Sequence, residues 1–214
     1  MHYSLQNLLP HPLREQPRTH TSDIWETNCT LERGKKYLIT APSGKGKSTF
    51  LHILYGLRRD FSGAVELDNQ SSSGFSVERW ADLRKNHLTI VFQDLRLFSK
   101  LSAMENIQLK ARLHKTQSES NIRAMAEHLD VQQLLEQRCD TLSYGQRQRI
   151  AIIRALCQPF DFLLLDEPFS HLDKGNTEAA FDLIEQSCIE QKTGFLLVSL
   201  GETFGRKYDE ELIL

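Results

Sequence analysis

The chain has 214 residues, enough for one sizeable hydrophobic core with a subdomain but short of two independent domains. With 26 basic and 28 acidic side chains its formal charge is −2, so no net field recruits nucleic acid or anionic lipid, and no nucleic-acid partner is expected. No apolar run approaches a membrane span, the N-terminus lacks a signal-peptide core, and Cys29, Cys139, Cys157 and Cys188 show no Cys-x-x-Cys spacing; they read as buried reduced thiols of a cytosolic protein.

Along the chain, Pro10, Pro12 and Pro17 suit an edge strand and a loop better than a helix. Residues 24–31 read as a short strand, residues 32–35 as a turn, and Tyr37, Leu38 and Ile39 as a buried strand ending in Thr40. Residues 41–49, APSGKGKST, fit the pattern small-x-x-x-x-Gly-Lys-Ser, and Phe50, Leu51, Ile53, Leu54 and Leu57 then recur on one helical face. Residues 64–67 form another short strand, residues 70–74 a solvent loop, and residues 89–92 an apolar strand ending at Gln93. From there to about residue 157 the periodicity is helical, with Ser102 and Glu105 spaced as a capping box and Ile122, Met125, Ala126 and Leu129 on one face. Buried strands at 162–165 and 195–198 flank a helix carrying Phe181, Leu183, Ile184 and Cys188. The alternation predicts an α/β fold with a mostly parallel sheet and an inserted helical subdomain at about 94–157.

A strand, a Gly-rich loop and a helix in that order form a phosphate cradle. Backbone N–H groups of Ser43, Gly44, Lys45, Gly46, Lys47, Ser48 and Thr49 would wrap phosphate oxygens, aided by the positive end of the helix dipole. Lys47 would reach the β- and γ-phosphates, and the Ser48 hydroxyl would ligate Mg²⁺. Asp166 and Glu167 follow four large apolar residues at a strand's C-terminal end, where open α/β sheets place their chemistry. Asp166 is assigned to the metal, usually through water, and Glu167 to orienting or deprotonating an attacking water. Gln93, also at a strand end, can offer its amide oxygen to the metal and its NH₂ to that water. Ser143 and Gln146 have capping-box spacing and, with Gly145, open a helix that makes a second anion site. Two chains arranged head to tail would use one such helix end each.

Together these pieces resemble the ATP-binding-cassette (ABC) ATPases over nearly the whole chain. The resemblance rests on the phosphate loop 41–49, Gln93 as Q-loop, the signature LSYGQ at 142–146, the Walker B strand 162–167 and the D-loop SHLD at 170–173. HILYGL at 52–57, FQDLRLF at 92–98 and LSAMENI at 101–107 are similar to the branch that includes LolD, MacB and FtsE. The resemblance implies a P-loop NTPase core with N-terminal antiparallel strands, the whole of 1–214 being a single cassette. It implies ATP and Mg²⁺ as cofactors, and a second cassette whose Ser143 and Gly145 close over the nucleotide while Asp173 communicates across the dimer. It also implies a transmembrane permease subunit docking near Gln93, which would hold an otherwise cytoplasmic protein at the inner face of the membrane. The chain's end at Leu214 is expected to leave no room for an added regulatory domain.

Four features depart from the family pattern, the mildest being Ala41 in place of the usual first Gly of the phosphate loop. Leu200 stands where a histidine usually contacts the γ-phosphate; losing one such preorganised contact costs about a hundredfold in rate, so slow intrinsic hydrolysis is expected unless Ser199 substitutes. Tyr144 stands where Gly is commoner, its ring expected at solvent. No aromatic lies at residues 4–23 to stack on adenine, which leaves His20 as the nearest flat ring there. The alternative function is a degenerate cassette that binds ATP as a switch with little hydrolysis.

Overall fold

The computed structural model describes residues 1–15, 21–114 and 117–214. Strands β3 (Lys36–Thr40), β6 (Leu88–Val91), β7 (Phe162–Asp166), β8 (Gly194–Ser199) and β9 (Glu210–Ile213) form an all-parallel sheet in the order β6-β7-β8-β3-β9. A second sheet, antiparallel, takes β1 (His2–Pro10), β2 (Asn28–Glu32), β4 (Phe61–Leu67) and β5 (Gln70–Ser71) in the order β2-β1-β4-β5. Among the described residues six α-helices accompany them: α1 (Lys47–Leu54), α2 (Val77–Asn86), α3 (Ala103–His114), α4 (Glu119–His128), α5 (Tyr144–Leu156) and α6 (Lys174–Gln191).

The inner strands β7 and β8 are apolar on both faces because both faces are covered. On β7, Leu163 and Leu165 enter a core shared with α3, α4, α5 and α6, while Phe162 and Leu164 enter a second core shared with α1, α2 and the antiparallel sheet. β8 alternates in the same way, with Phe195 and Leu197 on one side and Leu196 and Val198 on the other. All of these are fully buried, and each contributes about 2 kcal/mol by leaving water.

Five expectations need correction. β1 is an inner strand, not an edge: it pairs with both β2 and β4, and Pro10 costs no ladder bond because it is the last residue of the strand. Its register shifts between Gln6 and Leu9, with Asn7 at φ 49°. Gly63 lies opposite, where an added Cβ would sit 2.3 Å from the Asn7 carbonyl oxygen, so only glycine fits. The strand expected over 24–31 begins only at Asn28; before it, the Ser22 hydroxyl accepts the N–H groups of Ile24 and Trp25 and holds a turn. Residues 70–74 are not a free loop but a short strand pair and a 3₁₀ turn with Ser72 buried. β9 adds a parallel edge beyond the expected last strand. Helix α2 also has no expected counterpart: Ser76 caps it, but only Trp80 and Leu83 are buried, so its apolar stripe is too thin to register as periodicity. Pro17 and His20 lie outside the described residues.

Candidate functional site

Because β6, β7, β8 and β3 run parallel, their C-terminal ends open at one edge of the sheet. There they gather Gln93 after β6, Asp166 and Glu167 at the end of β7, Ser199 and Leu200 at the end of β8, and the loop 41–49 after β3. Register keeps these ends level, with Thr40 opposite Ser199 and Asp166 opposite Val198.

The loop folds around its own lysine. Lys47 opens α1 and is nearly buried, its ammonium 3.0 Å from the Ala41 carbonyl, 3.2 Å from that of Pro42 and 3.3 Å from Glu167 Oε1. Gly46 caps the helix at φ 94°, and a Cβ there would lie 2.7 Å from Leu13 and 3.2 Å from the Trp25 ring. Ser43 and Gly44 are exposed at the crest of the loop, with Gly44 also left-handed. Lys45 N–H donates to the Pro42 carbonyl, and the Thr49 hydroxyl accepts from Arg58. Ala41 has no positive φ, so its methyl replaces the usual glycine without strain.

Asp166 is buried, and its Oδ1 has no hydrogen-bond partner. Burial raises its carboxyl to about 6, against the opposing pull of the Ser48 hydroxyl and Lys47. Ser48 donates to Gln93 Oε1 across 3.5 Å. A carboxylate oxygen, a hydroxyl and an amide oxygen form a hard donor set of the kind Mg²⁺ takes alongside substrate phosphates. Glu167 takes an unusual left-handed φ of 46° for a non-glycine residue, its N–H bonded to the Val198 carbonyl and its carbonyl accepting from Gln148. Leu200 is 60% exposed at a cavity of about 450 Å³ lined by Glu167, Phe169, Leu172, Ser199 and Glu202. The Ser199 hydroxyl is already engaged, donating to the Glu202 carbonyl and accepting from the Gly201 N–H.

Ser143 and Gln146 form both bonds of a capping box at the start of α5. Gly145 lets the D-loop come close; a Cβ there would lie 3.0 Å from the His171 carbonyl oxygen. Asp173 caps α6 through the Asn176 N–H, which holds its carboxyl below the usual range.

Two residues matter here that sequence reasoning missed or misplaced. Tyr144 does not point to solvent: it is half-buried, and its hydroxyl donates to the Gln93 backbone carbonyl. Its ring centroid lies 4.2 Å from that of His171. Trp25 covers the phosphate loop, its indole N–H 3.4 Å from the Lys45 carbonyl and its ring edge-on to Phe50. Trp25 lies two positions beyond residues 4–23, the stretch in which the aromatic was expected.

The model of the ABC transporter family matches residues 25–170. The chain belongs to the ABC transporter family. The cassette is 32% identical over 195 residues to the lipoprotein-releasing system ATP-binding protein LolD of Shewanella denitrificans, covering 90% of this chain and 84% of that one. It is 36% identical to the thiamine import ATP-binding protein ThiQ of Escherichia coli O157:H7, over 80% of this chain and 73% of that one. Among solved structures, the dimeric bacterial ABC transporter cassette MJ0796 superposes with a TM-score of 0.80 at 25% identity, over 99% of this chain and 94% of that one. The α/β cassette fold and the LolD-like branch expected from the motifs agree with these likenesses. The family is that of ATP-binding subunits of transporter-type complexes, and among the described residues no helix is long and apolar enough to cross a membrane.

Proposed function

We propose that this cassette, residues 1–214 with the helical segment 94–157 inserted, binds ATP with Mg²⁺ and hydrolyses it as a dimer to drive a separate membrane permease. The observation that carries this reading is the convergence of Lys47, Ser48, Gln93, Asp166 and Glu167 at one edge of the parallel sheet. The amides of residues 43–49 and the Lys47 ammonium hold the phosphates. Ser48, Gln93 and Asp166 would hold the metal, which when bound would neutralise charge on the substrate phosphates. Glu167 orients the attacking water and takes its proton. Ser143, Gly145 and Gln146 of a second cassette close the site, and Asp173 lies at that interface; the dimeric state of the MJ0796 relative supports this. The names of the LolD and ThiQ relatives support a membrane complex, with this chain at its cytoplasmic face. Phe98, after the Q-loop, and Leu109 and Leu113, on α3, are exposed apolar side chains of the helical segment that a permease could cover.

Leu200 makes intrinsic hydrolysis slow, because an exposed leucine supplies no hydrogen bond and Ser199 is committed to its own loop. The deciding experiment is equilibrium ATP binding by the wild type and Lys47→Ala: binding by the first, weakened at least about tenfold in the second. Equal affinity in the two would defeat the reading.

A further inference from the structure

The segment after β6 is gripped from the helical side along its length. Tyr144 donates to the Gln93 carbonyl across 2.5 Å. Arg154, also on α5, donates to the Leu95 and Arg96 carbonyls at 2.6 and 2.7 Å. Asn106, fully buried on α3, accepts from the Phe98 N–H at 2.8 Å and donates to the Phe98 carbonyl at 3.0 Å. Leu95 and Arg96 sit at φ 60° and 46°, a bend that non-glycine residues keep only when their surroundings hold it.

Of these grips, the Tyr144 bond alone joins the two ends of the proposed chemistry. Its partner Gln93 points its amide oxygen at the Ser48 hydroxyl, 3.5 Å away. On the other side Tyr144 directly follows Ser143, the cap of α5. Its ring also rests on His171, two residues before Asp173, with the Arg147 guanidinium 5.4 Å from the ring. A glycine at this position would have neither ring nor hydroxyl and could form none of these contacts.

We infer that Tyr144 is a positioning residue whose bond to the Gln93 carbonyl transmits the state of one nucleotide site to the Ser143–Gln146 helix end that serves the opposite site. The inference rests on the ATP-sandwich reading above and adds a mechanical link between its two sites. Binding that draws the Gln93 amide toward Ser48 pulls on the start of α5. Conversely, a partner that seats Ser143 and Gly145 holds Gln93 in register with the metal ligands.

Tyr144→Phe removes the hydroxyl and keeps the ring on His171. Hydrogen exchange on the nucleotide-free protein reads how firmly the segment that follows Gln93 is held: the Leu95 and Arg96 amides, bonded to the Phe92 and Asp94 carbonyls on either side of Gln93, should exchange about two- to tenfold faster in the variant, the range of one neutral hydrogen bond. Amides of β7 serve as an unchanged internal control. In a Glu167→Gln background, sedimentation against ATP concentration reads the transmission. Tyr144→Phe should raise the midpoint of ATP-driven dimerisation about two- to tenfold, while fluorescent-nucleotide affinity of the monomer stays within about twofold. Tyr144→Gly should shift the midpoint at least as far. Unchanged exchange at Leu95 and Arg96 overturns the inference, as does faster exchange with an unmoved midpoint. If the Glu167→Gln parent binds ATP without dimerising, the sandwich reading fails and the proposed transmission with it. The exchange result then still reports on the bond alone.

Discussion

The Lys47 ammonium stands 3.3 Å from the Glu167 carboxylate, and their side chains are only 6% and 15% exposed. The charge proposed to hold phosphate and the carboxylate proposed to activate water are thus one ion pair, joining the first turn of α1 to the end of β7. Removing one partner leaves the other's buried charge uncompensated.

The two substitutions at this pair should therefore separate. Lys47→Ala is expected to weaken ATP binding by at least about tenfold, the loss of a charge-assisted bond. Glu167→Gln should keep ATP affinity near wild type while turnover falls about 10²-fold or more, as for loss of a general base. Isothermal titration and steady-state ATPase assays check both, and equal turnover in wild type and Glu167→Gln would leave a binding role only.

Leu200 offers the opposite experiment, a gain. Leu200→His restores a polar group at the cavity shared with Glu167, and ATP turnover should rise by about tenfold or more. An unchanged rate under saturating Mg-ATP would mean that leucine is not what limits hydrolysis.

Lys110 gives a pH-dependent stability. It is half-buried, and burial together with the Arg154 and Arg84 charges lowers its pKa to about 8. Below about pH 8 the ammonium is charged in both folded and unfolded chains, and the cost of burying it is fully present. Between about 8 and the ordinary lysine value near 10.5 the unfolded chain binds more protons, so stability gains with rising pH. Lys110→Met should therefore raise the melting temperature at pH 7, with an advantage that shrinks as pH climbs from 8 toward 10. Thermal melts across that range test the sign.

Trp25 should report the nucleotide. The chain's other tryptophan, Trp80, is buried against Phe75, whereas Trp25 lies half-buried beside Gly46. ATP titration should change the intrinsic fluorescence with a midpoint matching the calorimetric affinity, and Trp25→Phe should abolish most of the change. A response that survives in Trp25→Phe would place the reporter elsewhere.

The features legible in the chain are those whose physics is local. Residues 41–49 specify a turn, a helix start and a phosphate-sized cradle within nine positions, because glycine spacing and the following apolar face act through neighbouring backbone. The capping boxes at Ser102 and Ser143 are equally local, and both form with reciprocal bonds. Alternating buried strands and helices likewise announce a parallel sheet. Parallel strands then bring Gln93, Asp166, Glu167 and Leu200 to one edge, whatever the loops between them do.

Long-range contacts needed the folded molecule. Nothing near residue 144 in sequence says that its phenol meets a carbonyl 51 positions earlier, since that depends on how α5 seats against the segment after β6. Trp25 reaches Gly46 only because Ser22 turns the chain before β2. Helix α2 and strand β9 escape notice because each borrows its stability from neighbours: α2 buries two side chains, and β9 is ordered by pairing with β3. Motif chemistry is written in adjacent residues, whereas side-chain partnership is decided by packing, and packing is a property of the whole fold.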